Sequence, residues 1–225
     1  MPQGYLAVIA SMLIWGSVSI FARKAGQDPL VTVTYRVLFG AVALGLLELY
    51  QRSAGKAHPW AVPPGRGKVA HVGLLLFSGI ALAANWLFFF KAVETTSVSN
   101  AVLSYYAAPV LVALASPLLL GERLEFRTMV ATALAFSGVV VMLYQPGEAL
   151  SGSDVAGIGY GLTAAAFYAT VTITGRWLSG MKATQLVLVQ TLVASGVLLP
   201  VVLLSPALSQ AMLSAPAGAV GLLAV

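Results

Sequence analysis

The chain contains no cysteine. Disulfides, thiolate nucleophiles and cysteine-ligated metals are therefore excluded. Charge is nearly as scarce. Only 8% of the 225 residues are charged, against about 25% in a soluble domain. Acids are absent from the middle of every long apolar run. Asp28, Glu48, Glu94, Glu122, Glu125, Glu148 and Asp154 all fall in loops or near run ends. A proton-coupled carrier places a carboxylate or histidine at mid-membrane, so no residue stands out for coupling, and Glu48 is the nearest candidate. Histidine is limited to His58 and His71. Without partner carboxylates they read as interface residues rather than a metal site. Enzyme motifs are missing too: no HExxH, no P-loop, no pair of membrane-embedded aspartates. GIGYG at Gly157–Gly161 opens an apolar run with no preceding strand, so it does not read as a nucleotide loop. No catalytic residue, cofactor or metal is expected. No stripe of basic and aromatic residues lies outside the apolar runs, which argues against nucleic acid.

Apolar residues are what the chain has in abundance, at 59%, with a mean hydropathy of +0.92. Runs of about 20 apolar residues are membrane-span candidates. They occur at roughly 4–22, 30–50, 69–90, 96–120, 127–144, 155–178 and 184–204. An eighth begins near Pro216 and is cut off at Val225, so the sequence is expected to be a fragment or a truncated reading frame. The first run lacks a basic n-region and reads as a retained helix. The expected fold class is an all-α polytopic transmembrane helix bundle. Gln51–Lys68, basic and rich in Pro and Gly, reads as a linker. If the N-terminus is cytoplasmic, inner loops hold Arg52, Lys56, Arg66, Lys68, Arg123, Arg127, Arg176 and Lys182. Outer loops then hold only Arg23, Lys24 and Lys91. The positive-inside rule favours that orientation in a cytoplasmic (plasma) membrane, and the net charge of +5 reports topology.

One stretch, Asn85–Leu124, stands out. Thr96, Asn100 and Ser104 recur at helical spacing and form a polar stripe. Pro109 removes its own N–H and displaces the carbonyl of Tyr105. A polar stripe beside a freed carbonyl suits a cavity wall better than a lipid face. Helix-to-helix glue is the competing role for each residue taken singly.

The first and sixth runs resemble each other at one fixed offset. Gly4 matches Gly157, Trp15 matches Tyr168, Ser17 matches Thr170, Ser19 matches Thr172 and Arg23 matches Arg176. With one residue inserted in the next loop, Arg36 falls opposite Gln190. Five spans separate the two starts, an odd number, so the copies are inverted. Inverted repeats point to secondary transporters with a site near the midplane. The expected organisation is a first five-helix repeat over 1–147 and an incomplete second repeat over 148–225, with Gln145–Asp154 as the linker.

The residues IWGSVSIFARKAG, TYRVLFG and especially Asn85–Leu143, with its Pro109 and its Gly121-Glu122-Arg123, resemble the drug/metabolite transporter superfamily and its EamA-type members. That resemblance implies ten transmembrane helices in two inverted five-helix repeats with both termini cytoplasmic. About seven complete spans and the start of an eighth are present here. It also implies a small-molecule substrate.

Candidate substrate-binding residues follow from position. Arg36 lies about six residues inside its span, roughly 9 Å deep. It offers a planar fork to an anion or snorkels to the interface. Trp15 and Tyr168, symmetry-related and mid-span, either stack on substrate or pack the core. Asn85 and Asn100 donate and accept, which suits a zwitterion or polyol; interhelical bonding is the alternative. Tyr105, or else Tyr106, is the gate candidate beside the Pro109 hinge, and Gln190 enters by symmetry with Arg36. Glu122 and Arg123 read as structural, after a Gly121 C-cap. The leading function is an exporter of small polar metabolites such as amino acids, working by alternating access in the lipid bilayer; a homodimer is an allowed assembly. The alternative is a non-transporting helix-bundle interaction or sensor protein. A multipass enzyme would need a cluster of reactive groups that the sequence lacks.

Overall fold

A computed structural model describes residues 2–56, 67–122, 126–143 and 151–223. Within those residues every regular element is a helix. The order is α1 (Pro2–Ala25), α2 (Pro29–Ser53), α3 (Lys68–Thr95), α4 (Val98–Tyr105), α5 (Ala108–Leu120), α6 (Phe126–Leu143), α7 (Gly152–Trp177), α8 (Ala183–Leu204), α9 (Pro206–Leu213) and α10 (Ala217–Leu223). Among the described residues, α2, α3, α4 together with α5, α7 and α8 are long and apolar enough to cross a membrane. His58 and Arg123 lie outside the described residues.

Local chemistry sets the helix ends. Asp28 caps α2, its Oδ1 accepting from the Leu30 N–H at 2.8 Å, with Pro29 in the first turn where its missing N–H costs nothing. Ser151 and Asp154 form a capping box at the start of α7, satisfying two orphan donors reciprocally. Gly121 ends α5 at φ +68°, a left-handed cap that glycine adopts without strain. Pro206 starts α9, a short helix in a stretch read from sequence as a connection.

The fourth span breaks where Pro109 requires it. The chain turns at Tyr106–Ala107. The Tyr106 N–H reaches both Val102 O and Leu103 O at 3.1 Å. Pro109 then sits in the first turn of α5, where its missing donor is harmless.

Helix α3 is central, packing on α1, α2, α4, α7 and α8. Helix α2 pairs with α8, α7 receives α4 and α5, and α10 lies on α1. Close approach depends on small residues, as expected where lipid supplies no hydrophobic drive between helices. A Cβ on Gly79 of α3 would lie 2.5 Å from the Val193 Cβ on α8. Gly79→Ala is expected to destabilise by about 1–3 kcal/mol, and Val193→Gly in the same chain, which removes the facing Cβ, to restore part of it. Thermal unfolding of the single and double variants in detergent checks this; a double variant no better than Gly79→Ala refutes the contact.

Candidate functional site

The polar stripe that runs from the C-cap of α3 into α4 does not face open space. Thr96, Asn100 and Ser104 are all buried, and the surface against them is the glycine face of α7. A Cβ on Gly157 would lie 2.4 Å from Thr96 Cγ2, and one on Gly161 would lie 1.9 Å from Ser104 Oγ. The stripe satisfies itself within that seam. Asn100 Nδ2 donates to Thr96 Oγ1 at 3.2 Å, Thr96 Oγ1 donates to Asp154 Oδ1 at 2.6 Å, and Ser104 Oγ donates to Asn100 O at 2.7 Å. Arg23, at the end of α1, closes this end of the seam by donating to Thr96 O at 2.8 Å. The cavity wall expected from the spacing is thus a helix seam. The missed signal was GIGYG itself, a small-xxx-small motif.

Gln190 also lies in a seam. Its Nε2 donates to Ser78 Oγ at 2.5 Å, and Thr174 Oγ1 lies 3.1 Å from the same Ser78 oxygen. These buried side chains tie α8, α3 and α7 together. Spacing alone marked neither Ser78 nor Thr174.

The remaining candidates converge elsewhere. Asn85 on α3 is 2% exposed. Its Nδ2 donates to Ala164 O at 2.8 Å and to the Tyr105 hydroxyl at 3.3 Å. The Tyr105 ring packs on Phe89 at 4.9 Å and edge-on to Tyr168 at 5.6 Å between centroids. Arg36 on α2 points its guanidinium onto α3, with Cζ 4.9 Å from the Trp86 ring centroid and 5.9 Å from that of Phe90. Aromatic faces attract a desolvated cation. The Trp15 side chain lies outside the described side chains, although Gly16, its neighbour, lines the central pocket.

Three cavities follow one another by helix register. The outermost, about 420 Å³, is bounded by Arg23, Asp28, Thr32, Phe90 and Glu94. One to two turns deeper on α1 and α3 is a narrow pocket of about 40 Å³ lined by Ser19, Asn85, Trp86, Phe89 and Tyr105. Beyond Tyr168 opens a cavity of about 760 Å³ with Ser116, Thr132, Thr172, Glu122 and Arg176 on its walls. The Trp86–Phe90 ring pair, 5.7 Å apart, separates the first two. Tyr105 and Tyr168 separate the second from the third. An ion pair between Arg176 and Glu122 joins the end of α7 to the end of α5 at the far mouth; from sequence, Glu122 reads as structural and Arg176 as a loop cation matching Arg23. Glu48 is buried on α2, with Gln185 Nε2 and Arg52 Nε each 3.4 Å from its Oε1.

A bundle of membrane-length apolar helices defines an integral, polytopic membrane protein. The profile of the EamA-like transporter family matches residues 2–144. The chain belongs to that family, within the drug/metabolite transporter superfamily. It is 31% identical over 176 residues to an uncharacterized transporter of Archaeoglobus fulgidus, covering 78% of this chain and 57% of the relative. It is 28% identical over 196 residues to the uncharacterized transporter YxxF of Bacillus subtilis, covering 87% and 60%. It is 26% identical over 147 residues to protein RarD of Escherichia coli, covering 65% and 48%. The chain therefore spans between about half and three-fifths of the length of these relatives. A solved crystal structure shares the fold with a TM-score of 0.65 at 17% identity, covering all of this chain and 77% of the other.

Proposed function

We propose that this protein is a secondary transporter that exports small polar metabolites such as amino acids by alternating access. The observation that carries the reading is a cavity on either side of the central aromatic cluster, about 420 Å³ beside Arg23 and about 760 Å³ beside Tyr168, with a narrow pocket of about 40 Å³ within that cluster. Asn85, Tyr105 and Tyr168 are the groups that contact substrate at the inner constriction, and Trp15 joins them as the repeat partner of Tyr168. Arg36 serves the outer constriction. Asn100 and Gln190 act by holding helices in register. Pro109 provides the bend between α4 and α5, and the Arg176–Glu122 pair closes the far mouth.

The packing supports an inverted repeat. The sequence match pairs the first span with the sixth and, by the same order, the third with the eighth. Helix α3 packs on α7, and α10 packs on α1, which is the relation that inverted copies generate. The charge bias supports a cytoplasmic N-terminus, and a plasma membrane is the proposed location.

The test is flux in proteoliposomes reconstituted with the full-length protein. Trp15→Ala, Arg36→Ala and Asn100→Ala, at equal reconstitution, are each expected to lower flux of the transported solute by about tenfold or more, the scale of losing one charge-assisted or well-packed contact. Wild-type flux in all three would overturn the assignment of these residues, and absence of flux for any polar metabolite would overturn the transporter reading.

A further inference from the structure

Helices α3 and α8 begin at the same end of the bundle, and the contacts of α2 fix this. The last turns of α2 meet the start of α8: Lys182 Nζ donates to Gln51 Oε1 at 3.3 Å, and Gln185 Nε2 to Glu48 Oε1 at 3.4 Å. Arg36, near the start of α2, meets Trp86 near the end of α3. Both α3 and α8 are therefore antiparallel to α2 and parallel to each other. Ser78 and Gly79 of α3 face Gln190 and Val193 of α8. Seven residues earlier on each helix, two turns along the same face, His71 stands opposite the first turn of α8 at Ala183 and Thr184.

That turn is short of partners. Lys182 is the N-cap of α8 and makes no side-chain cap bond. The first intrahelical bond runs from Leu186 N–H to Lys182 O, so the N–H groups of Ala183 and Thr184 point out of the helix end. Thr184 Oγ1 is buried with no hydrogen-bond partner among the described residues. His71 is 5% exposed, and its Nδ1 is buried and equally unpartnered. An unpaired buried polar atom marks a partner not yet accounted for. Helix α3 also begins without a side-chain cap, at Gly67. Lys68 opens α3 and Arg52 ends α2 beside Gln51, so cations surround both helix starts. The neighbouring acid, Glu48, lies about a turn deeper and accepts from Arg52 Nε and Gln185 Nε2. Positive dipole ends, orphan N–H groups and cations together suit an anion with several acceptor oxygens.

We propose that the start of α8, with His71, Thr184 and Lys182, binds a phosphoryl oxyanion at this basic end of the bundle. The N–H groups of Ala183 and Thr184 and the Thr184 hydroxyl donate to its oxygens. His71 donates from Nδ1, and Lys182 keeps two ammonium protons beyond the one on Gln51. A phospholipid headgroup and free inorganic phosphate present the same oxygens. Occupation fastens the start of α8 to α2 and α3. The site is separate from the three cavities and does not depend on which solute is carried.

Native mass spectrometry and thermal unfolding of the full chain in nonionic detergent test it. Dioleoylphosphatidylglycerol is expected to bind about fivefold or more tightly than dioleoylphosphatidylcholine, the factor that one cation contributes near an anionic headgroup, and to raise the unfolding midpoint. His71→Leu is expected to weaken binding of the anionic probe by about tenfold, the scale of one hydrogen bond to a charged group. Lys182→Asp supplies the cap from the chain itself. It is expected to keep the probe-free midpoint near that of the unmodified chain and to abolish the response to the probe. Lys24→Gln, an exposed charge at the opposite end of the bundle, leaves the response unchanged. Inorganic phosphate that raises the midpoint by itself, where sodium chloride of equal ionic strength does not, identifies a free-phosphate site. Stabilisation by phosphatidylglycerol alone identifies a headgroup site. Equal binding of the two lipids with no response to phosphate overturns the proposal without any variant having to fold. A response that survives Lys182→Asp overturns it as well.

Discussion

Gly161→Ala is expected to destabilise the bundle by about 1–3 kcal/mol, while Gly159→Ala is neutral or stabilises it by up to about 1 kcal/mol. The two substitutions add the same methyl group two residues apart on one helix. Both gain helix propensity, since glycine loses the most freedom on folding. At Gly159 the new Cβ meets nothing within 4 Å. At Gly161 it would lie 1.9 Å from Ser104 Oγ and 3.2 Å from Ala101 O. Ser104 is fully buried, and its hydroxyl is bonded to Asn100 O, so it has no free space to enter. The seam must open, and the Thr96–Asp154 bond across it is strained with it. Ser104→Ala in the Gly161→Ala chain removes the closest atom but leaves a Cβ at 3.0 Å, so partial recovery is expected. Thermal unfolding in detergent, read by loss of the monodisperse species, ranks the four chains. Equal midpoints for Gly159→Ala and Gly161→Ala would refute the seam.

Asn85→Leu is expected to abolish most transport, by about tenfold or more, and to cost about 1–3 kcal/mol of stability, the desolvation penalty of a buried group left unpaired. Asn85 spends its two amide protons on Ala164 O and the Tyr105 hydroxyl, coupling α3 to α7 and to the end of α4. Leucine fills a similar volume but leaves the Tyr105 hydroxyl without its partner beside the constriction. Tyr105→Phe removes that hydroxyl together with the need for it. It also keeps the ring contacts to Phe89 and Tyr168. Its stability loss is therefore expected to be the smaller of the two, and its flux loss smaller as well. Paired unfolding and proteoliposome measurements on both variants decide the matter. A Tyr105→Phe chain as impaired in flux as Asn85→Leu, yet fully stable, would place the Tyr105 hydroxyl on the substrate rather than on Asn85.

These two expectations differ in how far the sequence anticipated them. Asn85 and Tyr105 were both identified from the aromatic helix end and the Pro109 break, and the structure places them 3.3 Å apart. The contact of Tyr105 with Tyr168 could be suspected only through the weak repeat. The seam at Gly161 was hidden, because a glycine with no side chain leaves no trace in hydropathy. The polar stripe opposite it was visible but was assigned to the wrong neighbour. Arg36 was visible as a buried charge, whereas the mixed-charge cavity above it was not. That cavity is assembled from the ends of α1, α2 and α3, and its residues read individually as loop charges and caps.

By itself, the sequence determined the all-α membrane class, the positions of the long helices, the break before Pro109 and the left-handed Gly121 cap. Each follows from local physics: the length of apolar runs, a missing N–H, or a backbone angle that favours glycine. Only the tertiary structure decided which polar residues face a cavity and which face another helix. A helical period reveals the direction in which a side chain points, but its surroundings depend on a second helix tens of residues away. Thr96, Asn100 and Ser104 met the glycines of α7 and became a seam, Gln190 met Ser78 and became another, and Arg36 met the rings of Trp86 and Phe90.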